Sequence, residues 1–125
     1  MEDPDILDNN DIDYFIRHEF NLGKQYAGIY GVVKDNIRQF NKGDGKHIYV
    51  YLLQNSPYST GHWVTVFRKN GEWIYFDPFG GLPPMVIFKK FDNLNVSGDV
   101  IQKLDQNDCG IIVLKKIWKE FKNKK

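Results

Sequence analysis

The chain has 125 residues, of which 42% are hydrophobic and 26% charged, a composition typical of one globular domain with one core. Its formal net charge of +1 excludes bulk electrostatic attraction as a reason to bind nucleic acid or an anionic membrane. Aromatic residues reach 15% and are expected to fill much of a small core. We therefore expect a single domain over residues 1–125 that works as a monomer.

The single cysteine excludes an internal disulfide and fits a reducing compartment, such as the cytosol, the nucleus or the interior of a virion. The N-terminus lacks the basic and apolar pattern of a signal peptide, and no apolar run approaches the ~20 residues of a membrane helix. We therefore expect neither secretion nor membrane insertion. We also expect no metal or other cofactor, since close ligand spacing is missing among His18, His47, His62 and Cys109.

Charge is distributed unevenly between the two ends. Residues 1–13 carry six acids and no base, whereas residues 115–125 carry six lysines and one glutamate. Lysines are favoured near the C-terminus of a helix by its dipole, so the ordinary interpretation is a solvated helix end. Contact of these lysines with nucleic acid is the alternative.

The first half of the chain predicts two helices, a loop and a strand. Residues 8–20 carry apolar side chains at helical spacing, with Asn10 or Asp11 as the cap. Residues 21–32 contain three glycines and are predicted as a loop, and residues 33–45 as a short helix that ends at glycines. The β-branched and aromatic run HIYVYLLQN, residues 47–55, predicts a buried strand.

The clearest local prediction is a hairpin over residues 62–69 and 72–77. Its two β-rich runs flank Asn70-Gly71, which is the strongest short hairpin signal because a type I′ turn needs positive φ at both positions. A two-residue loop pairs Lys69 with Glu72, Val66 with Tyr75, Val64 with Asp77 and His62 with Phe79. His62 and Asp77 then share a sheet face as diagonal neighbours, roughly 7–8 Å apart, so their side chains are expected to meet.

The sequence after the hairpin predicts a second helix at the C-terminal end. PFGGLPP ends the strand, residues 85–91 are predicted as a strand or a short helix, residues 93–99 as a loop and residues 100–104 as extended. From about residue 108 the pattern is helical, with an apolar stripe and a cap at Asn107 or Asp108. The expected fold is α+β, an antiparallel sheet packed on this helix, with Cys109 at its exposed N-terminus.

Cys109 is the candidate nucleophile. A thiol attacks as its thiolate, and a free pKa of about 8.5 leaves little thiolate at neutral pH unless a helix N-terminus or an imidazolium stabilises it. His62 is a suitable base and Asp77 a suitable group to orient it. Gly110 keeps the sulfur and the backbone amides uncrowded, and Gln102 or Gln106 can donate an N–H to an oxyanion.

Each of these residues also has an ordinary structural interpretation. A lone cysteine on an apolar helix is usually a small core residue, and a histidine on a strand is usually solvated or packed. An aspartate before proline often only starts a turn. The combination of histidine, aspartate, glutamine and Cys-Gly at a helix start favours an enzyme.

These motifs resemble a family of cysteine proteases. GHWVTVFRKNGEWIYFDPFG followed by IQKLDQNDCGIIVL resembles the adenovirus-type maturation proteases (adenain) and their relatives in large DNA viruses, virophages and virus-like transposons. It is similar, more distantly, to the cellular proteases that process SUMO and related modifiers. The matching pieces, in the family's order His, Asp, Gln, Cys, lie within residues 60–118, about half of the chain.

The resemblance implies a role for each matching residue. Cys109 would be the nucleophile, His62 the general base and then acid, and Asp77 the group that orients His62. Gln102 would be the oxyanion donor, because it lies seven residues before Cys109, as in adenain-like members, whereas Gln106 is too close. Trp63 would shield the histidine and wall a narrow channel, which admits glycine before the cleaved bond and rejects bulkier residues.

The sequence departs from the family in three respects. The chain is short, with only sixteen residues after Cys109, and it lacks a second cysteine for a disulfide to an activating peptide. Asp77 stands where adenain-like members often have glutamate, and both carboxylates can orient a histidine. The predicted function is cleavage of virion precursor proteins in a DNA virus or virus-like element. The alternatives are removal of a ubiquitin-like modifier and an inactive binding or scaffold module.

Overall fold

The fold is built on one six-stranded mixed sheet, with helices in the layers on its two faces. This computed structural model describes residues 7–56, 61–98 and 109–122. The strand order is β2-β1-β3-β4-β5-β6, in which β1–β3 and β5–β6 pair in parallel and the other neighbours are antiparallel. The α+β class is confirmed, but the expectation of a purely antiparallel sheet was wrong.

The strands and helices follow one another in chain order within the described residues. The strands are β1 Tyr26–Val33, β2 Asn36–Lys42, β3 Ile48–Gln54, β4 His62–Lys69, β5 Glu72–Phe76 and β6 Asn95–Val96. The helices are α1 Asn9–Tyr14, which continues as a π-helical turn Phe15–Glu19, α2 Met85–Phe88 and α3 Cys109–Phe121. None of the helices in the described part of the chain has the length and apolar character needed to span a bilayer.

The first helix is confirmed, but its cap is Asp8 rather than Asn10 or Asp11. The Asp8 carboxylate accepts from the backbone N–H of Asp11, and the Asp11 carboxylate accepts from the backbone N–H of Asp8. This reciprocal capping box satisfies two amides at once, so it fixes the helix start earlier than either predicted cap. The helix then buries Ile12 and, in the π-helical turn, Ile16.

The predicted loop at residues 21–32 and helix at residues 33–45 were wrong, because these segments form β1 and β2. Gly28 has φ of 122° at the register shift between Tyr26 and Gly28 in the β1–β3 ladder, a conformation that glycine adopts without strain. Gly31 lies under the Phe40 ring, where a Cβ would come within 2.5 Å of the ring. The glycines therefore allow close packing inside a strand instead of marking a loop.

The predicted hairpin is confirmed, with its register, from the turn as far as the Thr65–Phe76 pair, whereas the predicted pairs Val64–Asp77 and His62–Phe79 lie beyond the ladder. Lys69 pairs with Glu72 and Val66 with Tyr75, and Asn70 and Gly71 both have positive φ, as a type I′ turn requires. The strand predicted at residues 47–55 is confirmed as β3. The C-terminal helix is confirmed as α3, whereas its predicted caps and the extended segment 100–104 lie outside the described residues.

The segment after the hairpin forms a short helix and a minimal strand. Residues 85–91 were predicted as either a strand or a short helix, and they begin with the helix α2. Residues 93–99 were predicted as a loop, but two of them form β6, which pairs in parallel with β5. A two-residue strand leaves no periodicity in the sequence, which explains why it was missed.

The core has one half on each face of the sheet. One half, which we call the helical half, packs α1 and α3 on the sheet and contains Cys109, Trp63 and Phe67. The other half, which we call the opposite half, contains Val64, Val66, Tyr51 and Tyr75 with Ile87 of α2. Residues of β4 alternate between the two halves, as a buried strand requires.

Candidate functional site

His62 and Asp77 form a hydrogen-bonded pair at the open end of the hairpin. His62 Nε2 lies 3.1 Å from Asp77 Oδ2 and donates to that carboxylate oxygen. The register of β4 and β5 produces this contact, because β5 ends at Phe76 and Asp77 continues its line past the ladder. The predicted meeting of these two side chains is confirmed.

The Asp77 carboxylate is fixed from a second direction by its own loop. Its Oδ1 accepts from the backbone N–H of Phe79 at 2.8 Å, and its backbone carbonyl accepts from Gly80 N–H at 2.8 Å. This arrangement is an aspartate-initiated turn, in which the side chain bonds the backbone two residues later. One oxygen is thus used by the turn and the other is presented to His62.

Because Gly81 has no side chain, the Asp77 carboxylate has room beside it. A Cβ built on Gly81 would lie 2.8 Å from Asp77 Oδ2, closer than ordinary packing allows. The φ of Gly81 is outside the left-handed region, so the requirement for glycine here comes from space and not from backbone strain. Neither Gly81 nor the Phe79 amide was predicted as part of the site, and only the paired glycines after DPF hinted at close backbone approach.

The orientation of the His62 ring leaves its other nitrogen available. Because Nε2 is bonded to Asp77, Nδ1 is the nitrogen that can exchange a proton with a reacting group. The Phe79 ring packs edge-on against the imidazole, with centroids 5.4 Å apart and an interplanar angle of 78°. The His62 side chain is 28% exposed, whereas Asp77 is buried, so the base is reachable and its partner is protected.

Cys109 is the first residue of α3 that the structure describes, in agreement with its predicted place in the first turn, but it is buried. Its exposed fraction is 1%, so the expectation of an exposed helix N-terminus was wrong. The reason is the contact of the helix start with the helical half of the core, to which Cys109 itself belongs. A helix start is still a favourable place for a thiolate, because unpaired backbone N–H groups and the helix dipole favour negative charge.

Gly110 and Trp63 join the start of α3 to the start of β4. A Cβ on Gly110 would lie 3.2 Å from Trp63 Cδ1 and 3.2 Å from Leu7 Cβ, so a larger residue would push the helix away. The indole Nε1 of Trp63 donates to the Leu7 carbonyl at 3.2 Å. Since Trp63 directly follows His62, this packing places the residue after Cys109 against the residue after His62.

Trp63 is a core residue in this structure. It is buried in the helical half, and strand alternation places it on the face opposite to the His62 side chain. Its predicted part in a substrate channel stays a prediction. Gln102, the predicted oxyanion donor, lies outside the described residues, as does Gln106.

Tyr75 is a titratable neighbour of the pair but is not a candidate base. Burial raises the pKa of Tyr75 above that of a free tyrosine, and the charge of Asp77 raises it further. The phenol therefore stays neutral throughout the physiological range. Among the described neighbours of Asp77, His62 is therefore the candidate base, on the ground of its hydrogen bond to the carboxylate.

A groove beside His62 was not predicted from the sequence. It has a volume of about 400 Å³ and is lined by Val32, Lys34, Leu53, Gln54, Asn55, His62 and Pro84. The groove depends on β1 lying parallel to β3, which brings Val32 beside Leu53 and then His62. Because the residues of β1 were predicted as a loop, no local pattern indicated this groove.

Comparison with known proteins adds no further identification of the site. No protein-family model matches the chain, and no curated protein matches it in sequence. Its function is therefore inferred from the residues and geometry described above.

Proposed function

We propose that the protein is a cysteine endopeptidase of the adenain-like type, in which Cys109 is the nucleophile and His62 and Asp77 are the base and its orienting group. The observation that carries the proposal is the fixed His62–Asp77 pair, 3.1 Å between Nε2 and Oδ2, with Trp63, the residue after His62, facing Gly110 of α3. A nucleophile, a base and a third group that orients the base form the usual arrangement for covalent catalysis, and the proposal requires the Cys109 sulfur to reach His62 Nδ1 when substrate binds.

The proposed reaction uses two proton transfers through His62 in acylation. His62 Nδ1 takes the thiol proton, and the Cys109 sulfur attacks the peptide carbonyl carbon, so that a C–S bond forms and an electron pair moves to oxygen. Backbone N–H groups at the start of α3, together with Gln102, are the proposed donors to this oxyanion. The electron pair returns, the C–N bond breaks, and His62 gives its proton to the leaving amine.

Deacylation repeats the sequence with water. His62 takes a proton from water as the oxygen attacks the thioester carbon and an electron pair moves to the carbonyl oxygen. The pair returns, the C–S bond breaks to release the acid product, and His62 gives its proton to the leaving sulfur, which regenerates the thiol. Throughout both steps Asp77 holds the imidazole in one orientation and stabilises its protonated form.

The substrate class follows from the resemblance to maturation proteases. We propose a protein substrate with glycine before the cleaved bond, such as a virion precursor in a DNA virus or virus-like element. Because Cys109 is 1% exposed, cleavage requires the surroundings of the helix start to open when the substrate binds. A glycine, which has no side chain, needs the smallest opening.

Alkylation of the chain's single cysteine by iodoacetamide, followed against pH, tests the proposal. A thiolate stabilised by His62 is expected to react well below pH 8, and His62→Ala is expected to abolish that low-pH reactivity while leaving slow alkylation at high pH. Cys109→Ser provides the blank. Wild type should also cleave peptides that carry glycine before the scissile bond, and Cys109→Ser should not.

The burial of Cys109 favours one competing function, an inactive binding or scaffold module. Equal and slow alkylation of wild type and His62→Ala, with no cleavage of any glycine peptide, would establish that competitor and overturn the protease. A ubiquitin-like protein with a reactive C-terminus distinguishes the other proposed enzyme, a protease that removes such modifiers, from a maturation protease. Fast labelling of Cys109 by that probe, with glycine peptides ignored, would assign the protein to modifier removal.

A further inference from the structure

The groove beside His62 has the position and the chemistry of a substrate subsite. Its lining includes the apolar residues Val32, Leu53 and Pro84 and one basic residue, Lys34. Its volume of about 400 Å³ is in the range of small-ligand sites and accommodates a few residues of an extended peptide. His62 itself lines the groove, so a chain lying there reaches the proposed base.

The groove and Cys109 lie toward opposite sides of His62. By strand alternation the His62 side chain shares the face of Val64, which belongs to the opposite half of the core, whereas Cys109 belongs to the helical half with Trp63. Val32 of the groove also belongs to the opposite half. A substrate attached to Cys109 therefore has to cross the end of the sheet at His62 to enter the groove.

The chemistry of the proposed reaction decides which part of the substrate lies there. His62 must give its proton to the leaving amine, so the amine side of the scissile bond is adjacent to the imidazole and away from the sulfur. Building on the proposed protease function, we propose that the groove binds the residues that follow the cleaved bond, and that Lys34 selects an acidic side chain among them.

Lys34 is suited to this role by its position and charge. It is exposed in the turn between β1 and β2, with φ of 57°. It has no ion-pair partner among the residues that the structure describes. Asp35 follows it in sequence but does not line the groove. An exposed lysine attracts a carboxylate modestly, and the attraction falls as salt rises.

The test uses peptides that share glycine before the scissile bond and differ at one of the first three positions after it, with aspartate, asparagine or lysine there. We expect wild type to show a kcat/KM roughly fivefold higher for aspartate than for lysine at one of these positions, in low salt. Lys34→Glu should reverse that preference. Both effects should shrink at about 0.5 M salt, where screening is strong.

Two controls separate the groove from general effects of charge or folding. Lys46→Glu makes the same charge change near the start of β3, whereas the groove lies where that strand ends, and should leave the preference as in wild type. A glycine peptide that ends in a coumarin amide has no charged side chain after the scissile bond, so its cleavage measures the general competence of each variant, and the peptide preferences are expressed relative to it.

The possible outcomes show separately whether the subsite proposal or the protease proposal fails. Cleavage without an acidic preference, or the same change in Lys34→Glu and Lys46→Glu, would overturn the subsite and leave the protease proposal standing. An equal slowing of coumarin release and of aspartate-peptide cleavage by Lys34→Glu would also overturn it, because the lysine would then not select an acidic side chain. Failure of every peptide and of low-pH alkylation would remove the proposed function, and the subsite with it.

Discussion

Asp77 shows how one side chain can organise a candidate site. Its two carboxylate oxygens have different partners, the Phe79 amide and the His62 ring, and the absence of a side chain at Gly81 leaves room for both contacts. Hydrogen bonds to an ionised carboxylate are stronger than those between neutral groups, so the pair is held firmly. The orientation of the proposed base is thus set by a turn of a few residues.

Replacement of Gly81 by alanine tests this arrangement. The added Cβ would meet Oδ2 at 2.8 Å, and because Oδ1 is tied to the Phe79 amide, relief requires Asp77 to move away from His62. We expect Gly81→Ala to lower kcat/KM for a glycine peptide by roughly tenfold to a hundredfold. It should also reduce the low-pH reactivity of Cys109 toward iodoacetamide, with little change in melting temperature.

Gly23 offers a matched control, since a Cβ there meets nothing within 4 Å and its φ lies outside the left-handed region. Gly23→Ala should therefore leave both activity and alkylation unchanged. If Gly81→Ala behaved like Gly23→Ala in both assays, Gly81 would have no positioning role.

The element that carries the candidate nucleophile is α3, and it is attached to β4 at both ends. At its start, Gly110 packs on Trp63, as described above. Near its end, Lys69 Nζ lies 2.6 Å from Glu120 Oε1, and Lys116 Nζ lies 3.2 Å from Glu120 Oε2. Between these points the helix buries Val113, Leu114 and Ile117. Docking of the whole helix therefore fixes where Cys109 lies.

The Glu120 contacts predict a pH-dependent contribution to stability. Burial alone would raise the pKa of Glu120, but hydrogen bonds from Lys69 and Lys116 outweigh it and hold the pKa below the ordinary value of 4.5. A carboxylate with a depressed pKa stabilises the fold fully above its ordinary pKa and loses that contribution as pH falls through the lower folded value. The contribution should thus be complete at pH 7 and weak near pH 3.

Urea unfolding of Glu120→Gln measures this contribution. We expect a loss of up to about 1 kcal/mol at pH 7, since both partners are partly exposed, and a smaller difference from wild type near pH 3. A cycle with Lys69→Met and the double variant isolates the Lys69–Glu120 coupling. A coupling of zero at pH 7, or a difference that grew toward pH 3, would contradict an ionic link between the two elements.

At the scale of the whole molecule, the sheet separates two halves of one core. The helical half depends on α3, because the Phe121 ring packs on Phe67 of β4 and Ile117 belongs to the same buried cluster. The opposite half is covered by α2 and the chain that follows it, through Ile87, Phe91 and Leu94. Loss of packing in the helical half should therefore destabilise the whole domain and not only the helix.

Ile117→Ala tests that dependence. Ile117 is fully buried, so we expect Ile117→Ala to lower the free energy of unfolding by about 2–5 kcal/mol. That is a large part of the unfolding free energy of about 5–15 kcal/mol that is typical of a small domain. Ile37→Ala on the edge strand β2, where the side chain is 39% exposed, should cost about 1 kcal/mol or less. If chemical denaturation gave equal losses of unfolding free energy for Ile117→Ala and Ile37→Ala, α3 would be only loosely docked.

The amount that could be predicted from sequence differs between local and long-range features. The hairpin, its register and the His62–Asp77 contact followed from Asn70-Gly71, because a two-residue turn fixes every pair beyond it. The strands β1 and β2 could not be predicted in this way, since the glycines of β1 resembled a loop and β2 is an exposed edge strand. The pairing of β2 with β1 depends on tertiary contacts that no local pattern encodes.

By itself the sequence determined the features that depend on neighbours along the chain. These are the turn that pairs His62 with Asp77, the apolar stripe of α3 and the position of Cys109 as its first residue. Only the tertiary structure decided the burial of Cys109 and the groove that joins His62 to Lys34. Both arise where strands and helices distant in sequence pack together, and packing between distant segments is set by the whole core and not by local spacing.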